Sequence, residues 1–216
     1  MTKRLARFFD IFVILTILIS QFGMVSGAML DAGAAPAPDL IPTSSSFAGV
    51  TISNVRINSG GNSGFVSPGS TFRLTMDYSI VDTGCPGCID EIEIGFSTDS
   101  APFTCIYTGI PGVEGTSGSA AIDVTPPSTP GIYYLGFDRA QHFSCGEALA
   151  AGWWSGAPDS SRYIASVVIA TQVVTSAADT DDGFCNVDGC TLREAINAAN
   201  TNEGLDVVVF NIPSES

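Results

Sequence analysis

The sequence predicts a mainly β protein, an antiparallel β-sandwich followed by a small strand–loop–helix–strand unit. Three observations carry this expectation. Thr71-Phe-Arg-Leu-Thr-Met-Asp-Tyr-Ser-Ile80 alternates apolar and polar residues with period two, as a half-buried strand does. Short apolar runs of the same kind recur between turns rich in Gly, Pro and Ser, with no long helical pattern between them. Near the C-terminus Thr191 and Glu194 have the spacing of a capping box, and Leu192, Ala195, Ile196 and Ala199 fall on one helical stripe.

The chain opens with Lys3, Arg4 and Arg7, then the apolar run Ile11–Ile19, then the small residues Val25–Ala28. This is the order of a secretory signal, expected over residues 1–28 with cleavage after Gly27 or Ala28. The run is shorter than the ~18 residues a membrane span requires, and retention as an uncleaved anchor is the alternative. Residues 29–47, rich in Ala, Pro and Ser, read as a flexible linker.

The whole chain has 8 basic and 22 acidic residues, a net charge of −14. Removing the signal takes three of the basic residues and one acidic residue, so the remaining net charge is −16. Such a surface repels nucleic acid and anionic membranes, which disfavours both as partners. The expected address is secreted, extracellular or cell-surface.

The sandwich is expected over residues 48–170. Its strands are Val50–Ile57, Thr71–Ile80, Ile89–Phe96, Phe103–Thr108, Ala120–Val124, Ile132–Phe137 and Tyr163–Ala170. Turn clusters at 58–64, 67–69, 112–118 and 126–131 separate them. Thr83-Gly-Cys-Pro-Gly-Cys88 has turn chemistry and predicts a hairpin between the second and third strands. In the third, Ile92, Ile94 and Phe96 point inward and Glu91 and Glu93 outward. Two carboxylates can do glycosidase chemistry only across a cleft, so here they read as a solvated face.

Six cysteines in a secreted chain suggest three disulfides, with fifteen formal connectivities. Adjacency favours Cys85–Cys88 and Cys185–Cys190, which leaves Cys105–Cys145. A redox dithiol at Cys85-Pro-Gly-Cys88 needs a helix start that the turn does not supply. A zinc site from Cys85, Cys88, Cys105 and Cys145 has the ligand count but the wrong compartment.

The connection from Arg139 to Arg162 is long and has His142, Phe143, Trp153 and Trp154. His142, Trp153 and Trp154 are the candidate ligand-binding residues, since an exposed Trp pair can stack on sugar rings. The competing reading makes one Trp a plug of the core and the other a cover for the Cys105–Cys145 bridge. His142 is the only histidine, and neither a nucleophile elbow nor a zinc-protease motif accompanies it. No catalytic residue is expected. Asp179, Asp181, Asp182 and Asp188 are weak calcium candidates whose spacing misses an EF-hand loop, and no other cofactor is expected.

In residues 172–216, Val173-Val174 begins a strand, a cysteine loop follows, and a helix runs from Leu192 to about Asn200. Gly204 suits its C-cap and Val207–Ile212 reads as a strand. Val174-Thr-Ser-Ala-Ala-Asp179, Cys190-Thr-Leu-Arg-Glu-Ala-Ile196 and Ala198-Ala-Asn200 resemble the CSLREA domain of large secreted bacterial proteins. The resemblance covers residues 172–212, with Thr191 in place of Ser. It implies that the segment precedes a right-handed parallel β-helix, of which the last strand is the first rung, and it supplies no catalytic residue. On the residues themselves, Glu194 should return to the Thr191 backbone and Arg193 pair with a carboxylate such as Asp188. Separately, Pro130-Gly-Ile-Tyr-Tyr-Leu-Gly-Phe137 resembles the penultimate strand of immunoglobulin-like domains.

The fold expectation is therefore an Ig-like sandwich followed by an incomplete β-helix cap, the front part of a longer polypeptide or a truncated relative of one. The functional expectation is a non-catalytic adhesion or spacer module, with glycans or another surface protein as partner. The alternative is an accessory region of a polysaccharide-degrading enzyme whose active site lies beyond this chain.

Overall fold

The computed structural model describes residues 41–212 other than 82–84, 86, 187–188, 202–203 and 205. The signal expected over 1–28 and most of the 29–47 linker lie outside the described residues. In chain order the elements are β1 (Ser44–Phe47), β2 (Val50–Ile57), β3 (Ser63–Val66), β4 (Phe72–Ile80), β5 (Asp90–Phe96) and β6 (Thr104–Gly109). There follow β7 (Ser117–Val124), β8 (Gly131–Ala140), α1 (Cys145–Ala151), a 3-10 turn (Ser160–Arg162) and β9 (Tyr163–Ile169). The chain continues through β10 (Gln172–Val174), α2 (Leu192–Thr201) and β11 (Val208–Phe210).

The fold is mainly β. One sheet has the order β1-β2-β4-β7 and is antiparallel throughout. The other, β3-β9-β8-β5-β6, is mixed: only β3 with β9 runs parallel. Apolar side chains of both sheets, among them Ile52, Leu74, Ile94 and Phe137, bury into a single cluster. The period-two patterns act as expected, since Phe72, Leu74, Met76 and Ile80 are buried on one side of β4.

Three expectations change. The hairpin between the second and third predicted strands does not form: β4 lies between β2 and β7, and β5 lies between β8 and β6 in the other sheet. Each of these strands pairs on both sides with other strands, so the connection between them passes from one sheet to the other. The end of the expected linker is ordered, because Ser44–Phe47 pairs with β2 as an edge strand. Within the expected turn at 58–64, Ser63 and Gly64 begin β3, which pairs with β9 although it shows no alternation.

The two sheets are tied by one arginine. Arg139, on the core side of β8 opposite Ile92, is buried and forks onto Asp90 with Nε–Oδ1 at 2.9 Å and Nη2–Oδ2 at 2.8 Å. Its Nη1 donates to the carbonyls of Ala48 and Val81, both at 2.9 Å. Those carbonyls belong to the β1–β2 turn and the end of β4, in the opposite sheet.

The C-terminal unit is smaller. β10 and β11 pair in parallel, with α2 between them in sequence. Its buried apolar core is Val174, Cys190 and Ala195. Of the expected helix stripe, Ala195 is buried while Leu192 and Ile196 remain exposed, because two short strands offer too little surface to cover them. Among the described residues no helix is long and apolar enough to cross a membrane.

Replacing Arg139 leaves Asp90 buried without its counter-charge. Arg139→Met is expected to lower unfolding free energy by about 3–5 kcal/mol. Arg73→Met, which removes the exposed Arg73–Asp123 pair, is expected to cost less than about 1 kcal/mol. Urea titration of both variants checks the contrast, and equal losses would refute the tying role of Arg139.

Candidate functional site

The outer face of the five-stranded sheet is covered, and the cover is where the chain's chemistry collects. Glu93 stands opposite Asp138 on β8 and opposite Cys105 on β6. Opposed residues share a face, so Cys105, Glu93 and Asp138 form a row across it. The Cys105–Cys145 disulfide fastens α1 over that row, where it packs on β5 and β6. Ser144 caps α1 by accepting from the Glu147 amide.

Glycines permit the close approach. A Cβ on Gly95 would sit 2.7 Å from the Trp153 ring, so only glycine lets that ring lie across β5. The Trp153 indole donates to the Asp99 carbonyl at 2.9 Å. At Gly136 a Cβ would collide with Pro158. Arg162 holds the 155–158 segment down through the Gly156 and Ala157 carbonyls, with its Nη1 3.4 Å from Asp138. Asp138 also accepts from the Ser155 amide at 2.7 Å and from the Arg139 amide at 2.9 Å.

Glu91 and Glu93, expected on a wet face, are instead fully buried at 0 % exposure. The alternation was read correctly, but the second face is roofed by α1 and the 141–158 segment. Glu91 accepts from the His142 amide at 3.0 Å through one oxygen, and its other oxygen has no hydrogen bond. Neither oxygen of Glu93 has one of normal geometry.

Burial pushes Glu91 up to about 6, against the pull of the His142 amide, with Asp90 and Glu147 adding to the rise. Burial pushes Glu93 up to about 7; Asp138 beside it raises it further, and the Trp154 backbone pulls the other way. Such values lie in the range of general acids, but both side chains are enclosed beneath the cover.

The candidate ligand residues divide. Trp153 is a plug, 9 % exposed, whereas Trp154 is 54 % exposed and Phe143 85 %. His142 packs edge-on against Trp154 with ring centroids 5.3 Å apart, and its Nε2 is buried without a partner. His142 and Trp154 thus offer an aromatic shelf beside the buried carboxylates, with the exposed Phe143 next to His142 in the chain. Asp90, Asp138, Arg139 and Arg162 were missed by sequence reasoning. The available signal was Asp138-Arg139, two charges directly continuing an apolar strand.

All three disulfides follow adjacency: Cys85–Cys88, Cys105–Cys145 and Cys185–Cys190. That removes the proposed four-cysteine zinc site. The Cys85–Cys88 bridge leads into strand β5 rather than into the helix start that a redox dithiol needs. Three disulfides fit an oxidising, extracellular setting.

At the capping box, Glu194 accepts from the Thr191 amide at 2.8 Å and the Asp182 amide at 2.9 Å. Thr191 accepts from the Glu194 amide at 3.3 Å. The Thr191 amide bond is the first cause holding the Glu194 carboxyl below the usual range. Arg193 forks onto Asp179, at 2.8 to 3.0 Å, rather than onto Asp188, which lies outside the described residues. Among the calcium candidates, Asp181 accepts from Gly183 and Asp182 from Phe184, both backbone amides of their own loop. Among the described residues no group of three or more His, Cys, Asp or Glu is placed to hold a metal.

The sign of the pH dependence follows from the raised carboxyls. A carboxyl whose folded pKa lies above 4.5 adds stability that is present below 4.5 and lost as pH rises through about 6 for Glu91 and about 7 for Glu93. Glu93→Gln is therefore expected to match wild type near pH 4.5 and exceed it by roughly 2–3 kcal/mol at about pH 8. Denaturant midpoints at the two pH values decide it; a less stable Gln variant at the higher pH contradicts the assignment. Compared with protein-family models, curated proteins and solved structures, the chain finds no match.

Proposed function

We propose that the chain is a non-catalytic secreted or cell-surface protein whose Ig-like sandwich serves as an adhesion or spacer module. The observation that carries this reading is the covered face itself. Its two carboxylates are sealed rather than set across a cleft, while Phe143 and Trp154 face solvent. Exposed aromatics on a rigid, disulfide-held support suit contact with a carbohydrate or another surface protein.

The Ig-like part of the reading draws on topology. The orders β2-β4-β7 and β9-β8-β5-β6 correspond to A-B-E and G-F-C-C′ of immunoglobulin-like sandwiches. Tyr133, near the start of β8, donates to the Thr129 carbonyl at 3.0 Å, in the manner of a tyrosine corner. For the C-terminal unit, the parallel pairing of β10 with β11 supports a cap for a coil of parallel strands. The same cap serves the alternative, an accessory region of a polysaccharide-degrading enzyme, so the aromatic shelf decides what this chain itself does.

Binding of the full chain to a carbohydrate array tests the shelf. Trp154→Ala and Phe143→Ala are expected to weaken binding tenfold or more with little change in stability, roughly ±0.5 kcal/mol. Trp153→Ala is expected to cost about 3–5 kcal/mol of stability. Carbohydrate binding that ignores both shelf changes, or a Trp154→Ala chain that unfolds, removes the shelf from the reading.

A further inference from the structure

A groove of about 610 Å³, a common size for a small-ligand site, runs between the sandwich and the C-terminal unit. Its walls are the β3–β4 segment, including Phe65 and Ser70, and the segment from Thr171 to Thr175, with Asn58 and Asn211 also lining it. Among the described residues none that lines it is charged. In a chain with 22 acidic and 8 basic residues, such a lining stands apart from the acidic character of the chain as a whole.

The groove is rich in unengaged hydrogen-bonding groups. Among the described residues no hydrogen bond ends on the side chains of Ser70, Gln172 or Asn211. Asn58, at a positive φ of 48°, is fixed by a reciprocal pair of bonds. Its amide donates to the Arg73 carbonyl at 2.8 Å and its Oδ1 accepts from the Arg73 amide at 2.9 Å. Its Nδ2 is left as the unbonded end of a held side chain. Phe65, 38 % exposed, gives the groove one aromatic face on a strand paired with β9.

The two walls meet where β3 pairs with β9 and the Ala170 amide donates to the Val66 carbonyl at 3.2 Å. The next residue, Thr171, anchors the C-terminal unit. Its amide donates to the Val207 carbonyl at 3.0 Å, and its hydroxyl accepts from the Val207 amide at 3.0 Å. One held amide at Asn58, with further amides and hydroxyls around one aromatic ring, matches a neutral polyol. Side-chain amides bond to neighbouring hydroxyls, and the ring covers the apolar face of a sugar. An anionic ligand would find no cation in the lining, and a cationic one no carboxylate.

We propose that this groove binds a short uncharged oligosaccharide, with Phe65 stacking on a sugar ring and the amides of Asn58, Gln172 and Asn211 bonding to its hydroxyls. This deepens the adhesion reading and rests on it for the ligand class, but it places a second contact site away from the Trp154 shelf.

The test titrates the full chain and its Trp154→Ala variant with neutral tetrasaccharides of glucose, mannose and xylose, up to about 10 mM, while side-chain amide NMR signals are followed. The expected result is that at least one of them shifts the Asn58, Gln172 and Asn211 amides in both proteins. Phe65→Ala and, at an exposed position, Asn211→Ala should each weaken that binding at least fivefold. Binding should also be insensitive to salt, as an uncharged ligand requires. Shifts confined to the Trp154 region and lost in Trp154→Ala overturn the groove and leave the adhesion reading standing. No shift with any of the sugars overturns the groove, and a silent carbohydrate array beside it overturns both.

Discussion

The Arg139 side chain does what the hydrophobic core cannot do alone: it fixes which end of one sheet faces which end of the other. Apolar burial is non-directional, and a cluster of Ile, Leu, Val and Phe tolerates sliding between two sheets. A guanidinium with fixed fork geometry does not. Its four hydrogen bonds, to Asp90, Ala48 and Val81, are satisfied in only one arrangement of the two sheets. The buried ion pair adds specificity here rather than a large net stability, because desolvating both ions offsets much of their attraction. It also sets the level of Asp138 and Glu93, since the residues next to Arg139 and Ile92 project to the opposite face.

On that opposite face the physics is reversed. Glu93 and Asp138 are like-charged neighbours under cover, and Arg162 is the cation placed near them. Its Nη1 lies at 3.4 Å, a loose contact, while its Nη2 is committed to loop carbonyls. The cluster therefore carries one more potential negative charge than it can balance, and a proton on Glu93 is the simplest remedy. The cover stays in place because the Cys105–Cys145 bridge closes 40 residues of chain, by loop entropy about 4 kcal/mol, and because Trp153 fills the space that Gly95 leaves.

What was legible in the sequence was local. Alternation placed all seven predicted strands, adjacency paired the cysteines, and Thr191 with Glu194 announced a capping box that forms as drawn. What was illegible depended on the partner. Val81 to Ile89 has the composition of a hairpin turn, and nothing in it shows that β4 and β5 prefer β2, β7, β8 and β6. Glu91 and Glu93 alternate with isoleucines as surface residues do. Only the cover contributed by residues 50 positions later makes them buried. β3 escaped notice because a strand paired in parallel at an edge needs no alternation. For the site, the aromatic connection was visible, but which tryptophan plugs and which is exposed rests on Gly95. The groove was invisible, since Asn58, Phe65, Gln172 and Asn211 are unremarkable until the fold brings them together.

The C-terminal unit shows why that groove is a property of the whole chain. Val174, Cys190 and Ala195 are too small a core to define a stable body, and a disulfide and a cap help to fix it. Its position relative to the sandwich comes from continuity: β9 ends at Ile169 and β10 begins at Gln172, so almost no chain separates them. Thr171, in that short gap, bonds to Val207 through both its amide and its hydroxyl and so binds the start of β11 to the end of the sandwich. Opening a hinge at this point would break these Thr171 bonds. A groove whose walls are bonded in place is more nearly preorganised, and preorganisation reduces the ordering cost of whatever it holds. The bonds that seat the C-terminal unit on the end of the sandwich are thus the ones that give this junction its shape.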